Sequence, residues 1–210
     1  MNNALALPLV GMEIDRSRRP AKYTLTAVLM VFVMFVSGWA CNVQSWISNI
    51  NTILSEVAPA VQIVVSLLPL LGTQVPPNVT TAVNAWVPKI QKDVTDLGNL
   101  IQQYQNDLST NTTAQAAINS LITTTQQDVL SILPDFNVFD ANTQAKIVSV
   151  VNIIAAAVTS VENIINRIEG KVTAKAAPGA AKLVKNGKDF KNQFNANLRI
   201  RFGASAPQLA

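Results

Sequence analysis

The side chains that most often carry out chemistry are scarce in this chain. It has no histidine, one cysteine (Cys41) and twelve carboxylates in 210 residues. Without imidazole there is no Ser-His-Asp triad, no histidine-built metal site and not the commonest general base. One cysteine cannot assemble a zinc cluster. The eight glycines are scattered, and none falls in the GxGxxG or GxxxxGK(S/T) spacing that cradles phosphate. Glu56, Glu162 and Glu169 are carboxylates that a helical protein could gather around a metal, but such sites add a Glu-x-x-His motif that is missing here. Asp93 and Asp96 read as a solvated helix face. The expectation is a protein with no catalytic residues, no cofactor and no metal.

The basic residues carry more information. Residues 171–210 hold eight lysines and arginines against one acid, a net +7, while residues 42–170 hold four against nine, a net −5. The overall +4 thus hides an acidic body and a basic tail. Lys182, Lys185, Lys188, Lys191, Arg199 and Arg201 are the candidate contacts to an anionic surface, whether lipid headgroups, a cell-wall polymer or an acidic partner. Phe190, Phe194 and Leu198 sit four apart, the spacing of a short helix with an aromatic stripe, which adds apolar contact to that tail; residues 198–202 alternate and read equally as extended.

The elements that must position these residues are helical. Trp46, Ile50, Ile53, Val57, Ala60, Val64, Leu67 and Leu71 alternate at spacings of four and three. That heptad stripe belongs to a helix packed lengthwise on others. Pro59 and Pro69 predict a kink or break within it. A second stripe runs Val83, Val87, Ile90, Val94, Leu97, Ile101, Tyr104 and Leu108, with Pro88 as the expected start of the regular helix. Ile118, Ile122, Thr125, Val129 and Ile132 mark a third helix, over 113–133. The fourth, over 141–169, carries Ile147, Val151, Ile154, Val158, Val161, Ile165 and Ile168. Asp140 is its expected N-cap and Gly170 its stop, while Phe136 and Phe139 close one end of the core. Four stripes joined by short turns predict an all-α protein, an elongated up-and-down four-helix bundle. Beyond it, residues 175–182 read as a linker and the last eight as disordered.

Ahead of the first stripe lies an uncharged run from Thr24 to Val36, preceded by Arg16, Arg18, Arg19 and Lys22. A basic segment, an apolar run and a small-residue site define a secretory signal, and positive charge stays on the cytoplasmic side. Ala40 and Cys41 end the run. Over residues 16–41 the segment resembles the signal of bacterial lipoproteins, in which a cysteine after a small residue is lipidated and becomes the mature N-terminus. Gly38 and Trp39 depart from that pattern, which favours an aliphatic residue three before the cysteine and a small one two before it. Gly38 and Ala40 also satisfy ordinary signal cleavage. An uncleaved anchor is the third reading, because about 20 apolar residues make a full span and this run is near that limit. Residues 1–11 read as an extension, since Met12 opens an equally good basic segment.

These observations divide the chain into a basic cytoplasmic segment (1–22), a signal peptide or membrane anchor (23–40), a helical body (41–170) and a basic, partly disordered tail (171–210). The resemblance implies the bacterial cell envelope, with everything after Cys41 on the extracytoplasmic side. The expected role is structural or binding, with the apolar seams serving self-association or holding a partner helix. Two alternatives compete with it. In one, the uncharged stretches 57–71 and 147–161 insert into a membrane as pore-forming helices do. In the other, the helices kinked at Pro59, Pro69 and Pro88 enclose a hydrophobic ligand. The partner expected is a membrane rather than nucleic acid.

Overall fold

A computed structural model describes residues 22–71, 74–170 and 181–210, with side chains from Val43 onward. The chain divides into two compact units, Met1–Ala40 and Cys41–Ala210. Among the described residues it is all-helical. Five α-helices follow one another: α1 (Lys22–Leu67), α2 (Pro77–Gln103), α3 (Thr112–Leu130), α4 (Ala141–Ile168) and α5 (Gly187–Phe202). Two 3-10 segments, Leu68–Leu71 and Leu133–Val138, follow α1 and α3.

The heptad positions form the core. From Ile50 to Leu71 the first stripe is buried, as are Val83 to Ile101 in α2, Ile118 to Ile132 in and after α3, and Ile147 to Ile168 in α4. Only Trp46, first in its stripe, and Tyr104, next to last in its own, are half-buried. In chain order α2 packs on α3, α3 on α4, and α4 on α5, while the Leu133–Val138 segment packs on α2 and α4. Phe136 in that segment is fully buried, with the Phe139 ring stacked 6.4 Å from it.

Capping follows local chemistry. The Asn111 side chain accepts from the Ala114 N–H at 3.0 Å to start α3. Asp140 does the same for α4, accepting from Asn142 and Thr143 at 3.0 and 3.1 Å. Hydrogen bonds from Thr143 hold the Asp140 carboxyl below its ordinary value. Gly170, with φ +70°, ends α4 in the left-handed conformation that glycine adopts without strain.

Three expectations change. Pro88 does not start α2; the helix begins at Pro77 and runs through it. Pro59 likewise sits inside α1. Each proline leaves a carbonyl four residues back without its helical donor, but those residues, Ser55 and Asn84, are exposed, where water serves the carbonyl. Pro69 does coincide with a break, lying in the 3-10 turn after Leu67. The second is the place of the tail: the short helix expected from Phe190, Phe194 and Leu198 forms as α5, and its stripe is wholly buried, so a fifth helix joins the four. The third is the end of the chain, where Ala206 and Leu209 are buried rather than free.

α4 explains why a fifth helix fits. Besides its stripe it buries Val150, Ile153, Ala156 and Ala157, so more than one face is covered. Packing against α3 on one side and α5 on another needs apolar residues around much of the helix. The uncharged run from Ile147 to Val161 supplies them.

Candidate functional site

The basic segment is positioned by α5 rather than by a flexible tail. Asn186 caps the helix, its side chain accepting from the Asp189 N–H at 2.9 Å. Asp189 in turn accepts from the Lys185 N–H at 3.1 Å. The Gly187 N–H donates to Thr52 Oγ1 of α1 at 3.0 Å. Phe190 and Phe194 pack with ring centroids 5.6 Å apart. At the far end the Asn195 side chain brackets Leu209, donating to its carbonyl at 3.1 Å and accepting from its N–H at 2.9 Å. Lys191 donates to the Ala210 carbonyl oxygen, which ties the C-terminus to the same helix.

Between α4 and α5 lies an open groove of about 550 Å3. Ser149 and Asn152 line its α4 side, Gln193 and Asn197 its α5 side, and Lys182 and Arg201 also border it. Asn197 donates to Ser149 Oγ at 2.6 Å, which orients the amide. Its Oδ1 and the Nε2 of Gln193 are buried without a hydrogen-bond partner. Ile200, also on the groove, is 78% exposed. The groove is thus bordered by two cations, with one unpaired acceptor and one unpaired donor buried in its wall.

The six candidate cations are not gathered in one patch. Lys182 and Arg201 share the groove. Lys185 lies on a different cavity, against α1 and α4. Lys188 and Arg199 are exposed, eleven residues or about three turns apart along α5. Arg199 also reaches Gln208 at 3.4 Å. Among the described residues the ion pairs are Lys89–Asp128 and Lys92–Asp96, so the α5 cations have no carboxylate partner. Cys41 falls within α1, but its side chain lies outside the described residues, as do the basic segment 1–21 and residues 171–180.

The carboxylates occupy separate places. Glu162 accepts from Gln126 at 2.9 Å and Glu169 from Asn119 at 3.4 Å, so both pin α3 to α4. Glu56 lies beside Pro59 on an open depression that also holds Gln62 and Gln91. Asp96 forms an ion pair with Lys92 at 2.5 Å. Asp93 is not the solvated residue expected from its spacing: it is half-buried, with Oδ2 fully shielded and unpartnered. Burial, helped by the neighbouring Asp128, pushes its pKa from 3.8 up to about 6, against the opposing pull of Lys89 and Lys92. Asp128 is itself fixed, accepting from Lys89 Nζ at 2.6 Å while its backbone carbonyl accepts from Trp86 Nε1 at 2.7 Å. No sequence signal marks this pair, because the partners lie 35 residues apart on different helices.

No family model, curated protein or solved structure matches this chain.

Proposed function

We propose that this chain is a membrane-tethered, extracytoplasmic helical bundle whose role is to bind an anionic surface. In this reading α1 to α4 make an up-and-down four-helix bundle, α5 straps onto α4, and the apolar segment 23–40 or a lipid on Cys41 supplies the tether. The observation that carries it is α5 itself. Its apolar stripe is consumed in the core, so Lys188, Arg199 and Arg201 are presented from a fixed helix, and Lys182 from the segment leading into it, without carboxylate partners among the described residues. Each lysine or arginine near an anionic lipid surface contributes on the order of 1 kcal/mol, so four act together as a usable anchor. The heptad seams are buried within the chain, which supports a binding role for the outer face. The test is co-sedimentation of the full-length chain, in uncharged nanodiscs, with anionic and with neutral vesicles. Binding confined to anionic vesicles, weakened by salt and by Lys182→Gln with Arg201→Gln, is the expected result. Equal binding to neutral vesicles sinks the reading.

A second reading is membrane insertion. Val43–Leu71 and Ala141–Ile168 are both long and apolar enough to cross a bilayer. Much of each already faces the protein interior, as a core helix would. Release of a trapped dye from vesicles by the wild-type chain favours insertion, and intact vesicles favour the surface-binding role.

A further inference from the structure

A second cavity, of about 340 Å3, lies between α1, α4 and the segment entering α5. Its wall includes Trp46 and Asn49 from α1, Ser160, Asn163 and Arg167 from α4, and Lys185. Asn163 is only 7% exposed, yet neither its Oδ1 nor its Nδ2 has a hydrogen-bond partner among the described residues. A buried amide left wholly unpaired is costly, and native folds keep one where something else satisfies it.

The other polar groups narrow the choice of occupant. Ser160 is already used: its hydroxyl donates to the Ala156 carbonyl at 2.6 Å and accepts the Val184 N–H at 2.9 Å. It builds the wall and leaves Asn163 as the unpaired group. Asn163 offers donors and an acceptor together, so its complement carries both an oxygen to accept and a hydroxyl to donate. Arg167 and Lys185 are exposed and form no ion pair among the described residues, so the described lining is net positive. None of the lining residues is acidic. The Trp46 indole adds an apolar wall suited to a short carbon chain.

We propose that this cavity binds a small hydroxyl-bearing oxyanion of the polyol phosphate class, with Asn163 taking the hydroxylated end and Arg167 and Lys185 the phosphate. Such a group occurs as a free metabolite and as the headgroup of a phosphoglycerol lipid. The site is distinct from the α4–α5 groove and stands or falls without it.

The test is calorimetric titration of the full-length chain in an uncharged detergent with glycerol 3-phosphate, with inorganic phosphate and glycerol as partial probes. One site per chain is expected, with each partial probe at least tenfold weaker. Asn163→Leu raises the unfolding temperature of the free protein, because the unpaired amide is gone, and weakens glycerol 3-phosphate binding at least tenfold. A mainly structural asparagine moves these readouts differently: its loss lowers the unfolding temperature and leaves affinity alone. Arg167→Gln, at an exposed position that spares the fold, weakens binding about tenfold, whereas Lys182→Gln with Arg201→Gln leaves it unchanged. A short-chain phosphatidylglycerol binding more tightly than glycerol 3-phosphate assigns the site to a lipid headgroup, and equal affinity assigns it to the free ester. No heat at millimolar glycerol 3-phosphate, or unaltered binding by Asn163→Leu and Arg167→Gln, overturns the proposal.

Discussion

The backbone of Gly187 rests directly on Thr52. Its N–H donates to the Thr52 hydroxyl at 3.0 Å, and a β-carbon placed on it falls 2.2 Å from the Thr52 carbonyl oxygen. That approach joins α5 to α1 across 135 residues of chain. The glycine is needed for space and not for an unusual conformation, since its φ is not positive. The obstructing atom is backbone, so it cannot rotate away. Gly187→Ala is therefore expected to cost about 1–3 kcal/mol of stability through overpacking. Urea unfolding of the full-length chain measures it, with Thr52→Ala, which removes the hydroxyl that accepts from Gly187 N–H and donates to the Asn49 carbonyl, costing about 1–2 kcal/mol. A neutral Gly187→Ala would mean that α5 does not dock where the fold places it.

The same docking makes a stronger demand on the aromatic stripe. Phe190 and Phe194 are each fully buried, and truncating a buried phenylalanine costs about 3–5 kcal/mol through lost transfer energy and an unfilled cavity. Phe194→Ala should fall in that range. Lys188→Ala, on an exposed position of the same helix, should stay within about 0.5 kcal/mol of wild type. A flexible tail would give two indistinguishable variants.

How far the fold can be read from the residues is clearest in α4 and α5. The spacing of Ile147, Val151, Ile154 and Val158 identifies a buried face, and that face is buried. Periodicity says which side of a helix is covered but not by what. The partner of Val150, Ile153 and Ala157 was therefore illegible, although their excess over one stripe is the signal of a second neighbour. In α5 the stripe of Phe190, Phe194 and Leu198 was visible, but the surrounding lysines and the glycine-proline stretch before it suit a solvated tail equally well. Pro88 misled for a local reason: it lies at an exposed position inside α2, where solvent can take the place of the lost helical bond. At the groove, Lys182 and Arg201 were candidates from charge alone. Gln193 and Asn197 there, and Asn163 at the second cavity, were not, because an amide becomes informative only when burial strips it of partners.

The Asp93–Asp128 pair predicts a pH dependence with a definite sign. The pKa of Asp93 is about 6 in the fold against an ordinary 3.8. Between those values the folded state holds the proton that the unfolded state releases, so stability is fully favoured below the lower value and declines as pH rises through the upper one. Complete linkage would amount to about 3 kcal/mol, and partial exposure of the carboxyl reduces that to about 1–2 kcal/mol. Asp93→Asn keeps the shape without the charge, so it should be more stable than wild type at pH 7 and nearly equal at pH 4. Denaturant midpoints at the two pH values decide it. A wild-type advantage at pH 7 would show that Lys89 and Lys92 outweigh burial.

The tether makes a prediction that separates three masses. If Cys41 is lipidated, the membrane-extracted chain begins at Cys41 and carries added acyl mass, and Cys41→Ser abolishes both the cleavage and the addition. This is the expected outcome, because Ala40 and Cys41 close an uncharged run that follows four basic residues. A chain beginning at Cys41 with a free thiol indicates ordinary cleavage after Ala40, and then no covalent anchor is left to hold the protein at the membrane. A full-length, unmodified mass makes the segment 23–40 a permanent span. The binding role depends on which is found. A lipid on Cys41 or a retained span holds the Cys41–Ala210 unit close to the bilayer, where the four cations act at high effective concentration. The freely secreted form loses that advantage, and its affinity for anionic vesicles should fall to what those cations supply unaided, by 10-fold or more.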